Sequence, residues 1–250
     1  MFQYFLHSKE TIPDGLGFKL FGPLHLCWLA AAAAFYIFMW FWYKKQDEQK
    51  RLRCRKTVAL TMLCFEIVKT ALLLITGTWL PNYIPLQLCS FSIYFSVWHA
   101  FRPNKLNTEL LYSLSFIGAL MALLFCNWAM MPFWNYHHIQ SFITHILIVL
   151  YPILLLAGGH KPNYKMLPKC LLVVVLLAIP LYFLNKLWNT NFMFLNWADV
   201  GNPLSFFEAR WGRPWYIFSA IPMLAVCWVL MYLPWEIAKK MKNKQGKAAV

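Results

Sequence analysis

Charged residues are scarce in this chain, and their scarcity excludes an ordinary soluble domain. Only 13% of the 250 residues are charged, whereas 60% are hydrophobic and 18% aromatic, a composition that belongs in a bilayer. The charges that remain are mostly basic, with a net charge of +14. They lie in short segments between apolar runs, which argues against a nucleic-acid partner and favours contacts with phospholipid head groups.

Paired cysteines and a secretion signal are also missing. The seven cysteines form no CxxC pair and no regular spacing, so neither a disulfide framework nor a zinc module is indicated, and no cofactor is expected. The segment before Phe21 has neither the charged start nor the continuous apolar stretch of a signal peptide. We expect it to be an ordered or interfacial lead-in. An internal repeat of the kind found in transporters is not visible either.

Long apolar runs dominate what is present. A bilayer core of about 30 Å takes roughly 20 apolar residues per helix. A scan at that length predicts an all-α fold in one domain, residues 1–250, with seven membrane-spanning helices. The predicted spans are Phe21–Tyr43, Thr57–Thr78, Pro85–Phe101, Glu109–Met130, His138–Gly158, Leu167–Trp188 and Pro214–Trp235.

The basic residues predict the orientation of these spans. Loops on one side hold 17 of the 23 lysines and arginines, loops on the other side hold five, and Lys69 lies within a span. Cytoplasmic loops carry the excess, so we expect the amino terminus outside and the carboxyl terminus in the cytoplasm. The long loop Asn189–Arg213 then lies outside, and its length and charges are typical of a functional loop.

Polar residues lie along one face of the third span. Cys89, Ser92, Ser96 and His99 are spaced at i, i+3, i+7 and i+10, which is one side of a helix. One interpretation is close helix packing, with the serines bonded to backbone. The other is functional: with Pro85 as the first helical residue, Cys89 lies within about the second turn, where the helix dipole favours a thiolate. A nearby base is needed to settle the choice.

A histidine in the fifth span is a candidate for that base. His145 lies about two turns below the outer surface, at a depth compatible with that of Cys89, and an intramembrane histidine is a functional candidate. The alternative is a histidine satisfied by a backbone carbonyl or a serine. His25 and Cys27 fall in the same layer, and the four residues would bind zinc only if they converged.

Two opposite charges lie near the middle of the second span. Glu66 and Lys69 are three residues apart, a spacing at which helical side chains pair. An ion pair that fixes the helix arrangement is favoured over a proton or substrate site, since an uncompensated charge at that depth costs at least about 2.5 kcal/mol.

Four motifs carry a resemblance to a known family. They are "FGPLHLCWL" in the first span, "LPNYIPLQLCS" before and into the third, "FITHILIVLYPILLL" in the fifth and "NTNFMFLNWADVGNPLSFF" after the sixth. Together they resemble the bacterial YwaF-like integral membrane proteins and their eukaryotic relative, transmembrane protein 164, from about Phe21 to Tyr232. The resemblance implies a multi-pass protein of a cell membrane, with the bacterial plasma membrane as the expected location.

The resemblance also implies an intramembrane phospholipid acyltransferase or acyl hydrolase. Its cysteine nucleophile corresponds to Cys89 and its histidine to His145, and its partners are membrane phospholipids. Gln87 stands where many bacterial members have histidine. Donors for the oxyanion or contacts for the substrate are expected among the following residues: Gln87, Asn191, Asn196 and His25.

Two other classes of function stay open on the sequence alone. One is a small-solute transporter, channel or lipid scramblase, in which the intramembrane polar groups line a pathway between helices. The other is a signalling or structural protein whose polar groups only hold the helices together. The lack of a visible repeat weighs against the first of these, and the lack of an appended cytoplasmic domain weighs against the second.

Overall fold

The computed structural model describes residues 3–199 and 202–248, with the side chains of 3–199 and 202–241. Within these residues every regular element is helical, which confirms the all-α class. The α-helices are α1 (Pro23–Lys44), α2 (Glu48–Ile75), α3 (Leu88–Phe101), α4 (Lys105–Leu110), α5 (Ile117–Leu124), α6 (Tyr136–Ala157), α7 (Leu167–Trp188), α8 (Leu204–Trp211) and α9 (Ala220–Ala248). A π-helical turn, Leu111–Phe116, joins α4 to α5.

Short 3₁₀ turns complete the described elements. They are Lys9–Thr11, Pro81–Tyr83, Tyr164–Met166, Phe192–Phe194 and Trp215–Ser219. The loop predicted at Asn189–Arg213 therefore contains a 3₁₀ turn and α8. Its residues 200 and 201 lie outside the described residues, as do the last two residues of the chain.

Six described helical segments are long and apolar enough to cross a membrane. They are Pro23–Lys44, Glu48–Ile75, Lys105–Leu124, Tyr136–Ala157, Tyr164–Trp188 and Trp215–Met241. The segment predicted as the third span is the exception, because α3 has only 14 residues, about 21 Å of helix against a core of about 30 Å. The chain is a multi-pass membrane protein.

Two helices begin earlier than predicted because capping side chains lie upstream. The Asp47 carboxylate accepts a hydrogen bond from the Lys50 backbone N–H at 2.8 Å, so α2 begins at Glu48. Most of the basic segment predicted as a loop is therefore part of this helix. Asn104 likewise accepts from the Asn107 N–H at 2.9 Å, which moves the start of the fourth apolar segment upstream.

The start of α3 departs from the prediction in the opposite sense. Pro85 is not its first residue, since α3 begins three residues later. Gln87 lies just before the helix, where its side chain donates to the Asn191 carbonyl at 3.2 Å and accepts from the Met193 N–H at 2.8 Å. These distant bonds fix the entry into α3, and they place Cys89 in its first turn.

Helix α6 forms the centre of the bundle. Of its apolar window, 67% is buried, compared with 11% for α1 and for α7, whose large apolar side chains face outward as expected against lipid. α6 packs against α1, α2, α3 and α5, and α3 also packs against α2. Cys89 in α3 is therefore carried by a helix that lies against both α2 and the central helix.

Two contacts fix how α3 lies against the α4–α5 segment. The Asn107 amide donates to the Phe95 carbonyl at 3.0 Å. A Cβ atom added to Gly118 would lie 3.2 Å from the Leu88 side chain. Phe95, late in α3, meets Asn107, early in the other segment, whereas Leu88, early in α3, meets Gly118, late in the other segment. The two segments therefore run antiparallel.

The amino-terminal segment folds over the surface at which α6 begins, which we call the α6-entry face. The Asn135 side chain donates to the carbonyls of Tyr4 and His7, each at 2.8 Å. The Tyr83 hydroxyl donates to Glu10 at 2.5 Å, and burial with this bond raises the pKa of Tyr83. The amino-terminal segment is thus ordered, and its hydrogen bonds connect it to the start of α6 and to the turn before α3.

Candidate active site

Cys89 lies in the first turn of α3 and is partly buried against the main hydrophobic core. Ser90 follows Cys89 in the same turn, and its polar groups lie near the Cys89 sulfur. On the facing helix α2, Glu66 and Lys69 lie close enough for their charges to act on this thiol. The thiol is therefore buried against the hydrophobic core with polar groups near it, unlike Cys64, which is exposed on the surface of α2.

His145 is buried in α6, with 9% of its surface accessible. Its Nδ1 lies 2.8 Å from the Ser141 carbonyl oxygen. Because a carbonyl only accepts, Nδ1 carries the hydrogen and Nε2 keeps its lone pair. Among the residues described, none hydrogen-bonds Nε2. One nitrogen is thus satisfied by backbone, as the structural interpretation required, and the other is free to accept a proton.

The ion pair of α2 lies at a depth along its helix similar to that of His145 along α6. Glu66 is nine residues before α2 ends and His145 nine residues after α6 begins, about 13 Å along each helix. Lys69 lies near enough to both Cys89 and His145 for its charge to be felt at each. No direct hydrogen bond joins Cys89 to His145 in the described part of the chain.

Glu66 and Lys69 do pair with each other. Lys69 Nζ lies 2.6 Å from Glu66 Oε1, and their side chains are 18% and 8% exposed, respectively. The spacing argument is confirmed in its geometry, because the two charges are satisfied within one turn of α2. The structural role of the pair remains a prediction.

His25 has both ring nitrogens engaged and is fully buried. Nδ1 accepts from the Phe21 N–H at 2.9 Å, so Nε2 carries the hydrogen and donates to the Leu123 carbonyl at 2.7 Å. Cys126 lies 4.0 Å from that Nε2, and burial raises the pKa of its thiol to about 11. Cys27 is exposed instead. His25 thus connects α1 to α5. Neither of its ring nitrogens is free for the substrate contact that was predicted for it.

The sequence predicts zinc binding only if His25, Cys27, Cys89 and His145 lie together. Within residues 3–199 and 202–241, no group of three or more His, Cys, Asp or Glu side chains is placed to hold a metal ion. The layer of His25, Cys27, Cys89 and His145 therefore does not form a four-residue site.

The amides of the 189–197 segment hold that segment together. The Asn191 side chain donates to the Trp197 carbonyl at 2.9 Å and accepts from the Asn196 N–H at 3.1 Å. Asn196 in turn accepts from Lys186 Nζ at 2.6 Å and donates to the Thr190 carbonyl at 3.0 Å. Gln87 ties this segment to α3. The observed bonds give these amides a structural task, and their contact with a substrate remains a prediction.

Trp128 is a site residue that the sequence analysis missed. Its ring stacks on the His145 ring, with centroids 4.7 Å apart and planes at 26°. It is only 6% exposed. Since it lies in the connection between α5 and α6, far from His145 in sequence, only aromatic enrichment near the membrane surface signalled it.

Glu109 was also missed as a buried acid. It is 3% exposed, its carboxylate accepts from the Tyr232 hydroxyl at 2.9 Å and the Asn163 N–H at 3.0 Å, and His160 Nε2 lies 3.3 Å away. The cluster lies with the α6–α7 connection, at the end of α6 remote from His145.

Two surface depressions accompany these residues. A cleft of about 550 Å³ on the α6-entry face is lined by the amino-terminal segment and by Thr76 and Thr78 after α2. An apolar groove of about 300 Å³ runs between α1 and α6, lined by Tyr36, Ile37, Trp40, Phe41 and Ile153. Cys89 lines neither depression, so neither of them opens directly onto this cysteine.

Comparison with known proteins gives one match. A family model described as the TMEM164 family matches residues 20–232. Neither the curated proteins nor the solved structures contain a match.

Proposed function

The chain belongs to the TMEM164 family, and from that membership we propose that it moves acyl chains between phospholipids, with Cys89 as nucleophile and His145 as base. The observation that supports this most is the hydrogen bonding of His145. Its Nδ1 is committed to the Ser141 carbonyl, which leaves Nε2 as an acceptor on α6, the helix against which α3 packs.

In the first half-reaction the Cys89 sulfur attacks the ester carbonyl carbon of a donor phospholipid while His145 Nε2 accepts the thiol proton. The carbon–sulfur bond forms, and the bond from that carbon to the lysophospholipid oxygen breaks. His145 returns the proton to this oxygen, which leaves as a hydroxyl. The product on the protein is a thioester at Cys89.

In the second half-reaction a hydroxyl of an acceptor lipid gives its proton to His145 and attacks the thioester carbonyl. A new ester forms, and the Cys89 sulfur leaves and regains the proton. Water in place of the acceptor hydroxyl makes the same site an acyl hydrolase. The position of Cys89 in the first turn of α3 supports both steps, because the free N–H groups at a helix start stabilise negative charge.

A topology of seven crossings supports a site near the outer leaflet. In this proposal α3 returns the chain across the bilayer, because it packs antiparallel to α4–α5 and begins beyond the end of α2. The amino terminus is then outside, the 17 basic residues lie on the cytoplasmic side, and Cys89 and His145 are reached from the outer leaflet of the plasma membrane.

Exchange of acyl chains between two labelled lipids tests the proposed activity. The purified protein is placed in vesicles of a diacyl phospholipid and a lysophospholipid carrying different isotopes, and hybrid lipids are measured by mass spectrometry. We expect exchange with the native protein, and none with Cys89→Ala or His145→Ala per folded molecule.

Cys126→Ala is the matched control, because Cys126 also lies beside a histidine. It should retain exchange, since His25 has no free nitrogen to act as a base. Full exchange by Cys89→Ala would contradict the proposal. Movement of labelled head groups between leaflets without any exchange would instead favour the transporter or scramblase alternative.

A further inference from the structure

Trp128 carries a hydrogen-bond donor that has no partner. Its indole N–H is buried, and no acceptor lies within hydrogen-bonding distance of it among the described residues. Buried polar groups are almost always satisfied, because an orphan donor forfeits the bond it would make to water. The exception here therefore calls for a physical explanation.

The indole ring that carries the donor stacks on the proposed base. The Trp128 ring stacks on His145 at 4.7 Å and meets the Phe142 ring edge-on at 5.4 Å. Both partners belong to the central helix α6. The indole is thus held by two rings, one of which is the residue that would carry the reacting proton.

The backbone around Trp128 is fixed on both sides. The preceding residue, Asn127, donates its side-chain amide to Asp199 at 3.1 Å. The carbonyl of the following residue, Ala129, accepts from the Phe18 N–H at 2.8 Å. A donor held in this way needs no reorganisation when charge develops near it, which is the property required of an oxyanion-stabilising group.

We propose that the Trp128 indole N–H donates a hydrogen bond to the ester carbonyl oxygen of the lipid bound at Cys89 and His145. This inference rests on the proposed function and adds the group that recognises the ester. The carbonyl oxygen becomes negatively charged when the thiol attacks, so the same bond strengthens in the transition state. A lipid with an ether in place of the ester has no carbonyl oxygen, so the Trp128 N–H stays without an acceptor.

Trp128→Phe removes the N–H and keeps an aromatic ring to stack on His145. We expect acyl exchange to fall by about 10²-fold, the usual effect of losing one oxyanion donor. The unfolding temperature should fall less than it does when the Trp28 indole is replaced, because both changes remove the same ring atoms but the Trp128 N–H makes no bond that is lost. A large loss of activity with this smaller loss of stability is a combination that a purely structural tryptophan would not give.

Trp28→Phe is the matched control. The Trp28 indole N–H donates to His138 Nε2 at 3.2 Å, and its ring stacks on Phe142. Its replacement removes a bond that is made, so the unfolding temperature should fall while exchange per folded molecule stays within about twofold. Equal loss of exchange in the two variants would overturn the proposal.

A binding measurement separates this inference from the activity itself. The unfolding temperature of the detergent-solubilised protein is measured with diacyl phosphatidylcholine and with its dialkyl ether analogue of equal chain length. We expect greater stabilisation by the ester lipid in the native protein, and no difference between the lipids in Trp128→Phe. Native protein that does not distinguish the two lipids, or a variant that still does, overturns the inference.

The two claims fail in different ways. If ester preference disappears in Trp128→Phe but Cys89→Ala exchanges acyl chains normally, the ester-binding donor stands and the cysteine mechanism falls. If exchange requires Cys89 and Trp128→Phe retains full exchange, the mechanism stands and the donor falls. Trp128→Tyr, which restores a polar hydrogen at a different place on the ring, repeats the comparison should Trp128→Phe fold poorly.

Discussion

Two buried histidines of this molecule, His25 and His145, differ in how their ring nitrogens are hydrogen-bonded. At His25, Nε2 donates to the Leu123 carbonyl and Nδ1 accepts from a backbone N–H, so the nearby Cys126 has no base. At His145, only Nδ1 is engaged. Residue type and depth are alike in the two cases, and the partner of the second ring nitrogen decides which histidine is able to accept a proton.

The cysteines should differ accordingly in reactivity toward an alkylating reagent. Cys126 is buried and its thiol pKa is raised to about 11, and the thiolate is the reactive form. Its labelling should be very slow at pH 7 and should rise about tenfold per pH unit until the pH approaches 11. Labelling of Cys89 should be faster at pH 7 and should slow in His145→Ala.

Peptide mass spectrometry after timed labelling in mild detergent follows the two sites together. His25→Ala provides the comparison for Cys126, whose rate should change little, because that histidine does not act as a base. Faster labelling of Cys126 than of Cys89 at pH 7 would contradict the assignment of the two pairs.

At the scale of elements, the long helices could be predicted from the sequence. Apolar length placed α7 at its observed bounds, Leu167–Trp188, and placed α6 within two residues at each end. Local caps such as Asp47 were also readable, and neglect of them put the start of α2 too late. These features depend on residues within one turn of each other, so the sequence carries them.

The start of α3 could not be predicted in this way. It depends on Gln87 bonding to backbone of Asn191 and Met193, about a hundred residues later. The same limit applies to the site, where Cys89 and His145 were identified from motifs, but the Trp128 ring beside His145 comes from packing between elements. Interactions between distant segments leave no periodic pattern for a sequence scan to detect.

Gln87→Ala should loosen the beginning of α3. It leaves the Met193 N–H without its acceptor and removes one bond to the Asn191 carbonyl, so we expect a loss of about 1–3 kcal/mol in stability. Hydrogen exchange should accelerate at Met193 and in the first turn of α3. Gln140→Ala, which removes a bond to Thr144 within α6, should leave exchange at Met193 unchanged; equal acceleration in both variants would refute the anchoring role.

At the scale of the whole molecule, one buried ion pair lies where α2 meets the helices that carry the candidate site. Replacing Glu66 or Lys69 alone by an apolar residue leaves the other charge buried. We expect a loss of about 3 kcal/mol or more in stability from either single change, and substantial recovery when both are replaced.

Folded yield and unfolding temperature of the two single variants and the double variant measure this coupling. Lys50 pairs with Asp47 at the start of the same helix, with its side chain 62% exposed, and its replacement should matter little. A double Glu66/Lys69 variant that folds well but has no acyl exchange would show that the pair belongs to the mechanism instead of the architecture.

The orientation in the membrane is a property of the whole chain. Accessibility of single engineered cysteines from each side of sealed vesicles should place the turn at Lys45–Asp47 in the cytoplasm, and the connection between α7 and α9 outside. Labelling of the α7–α9 connection from the cytoplasmic side would reverse the orientation and move the proposed site to the inner leaflet.

The proposed function depends on a thioester at Cys89, and that thioester can be measured directly. The purified protein is held in ether-linked lipid with a small amount of isotope-labelled diacyl phospholipid, so that acceptor hydroxyls are few, and its peptides are analysed by mass spectrometry. We expect a labelled acyl group on Cys89 that hydroxylamine removes and that His145→Ala fails to form. An acyl group on Cys126, or on no cysteine while lipid exchange proceeds, would contradict it.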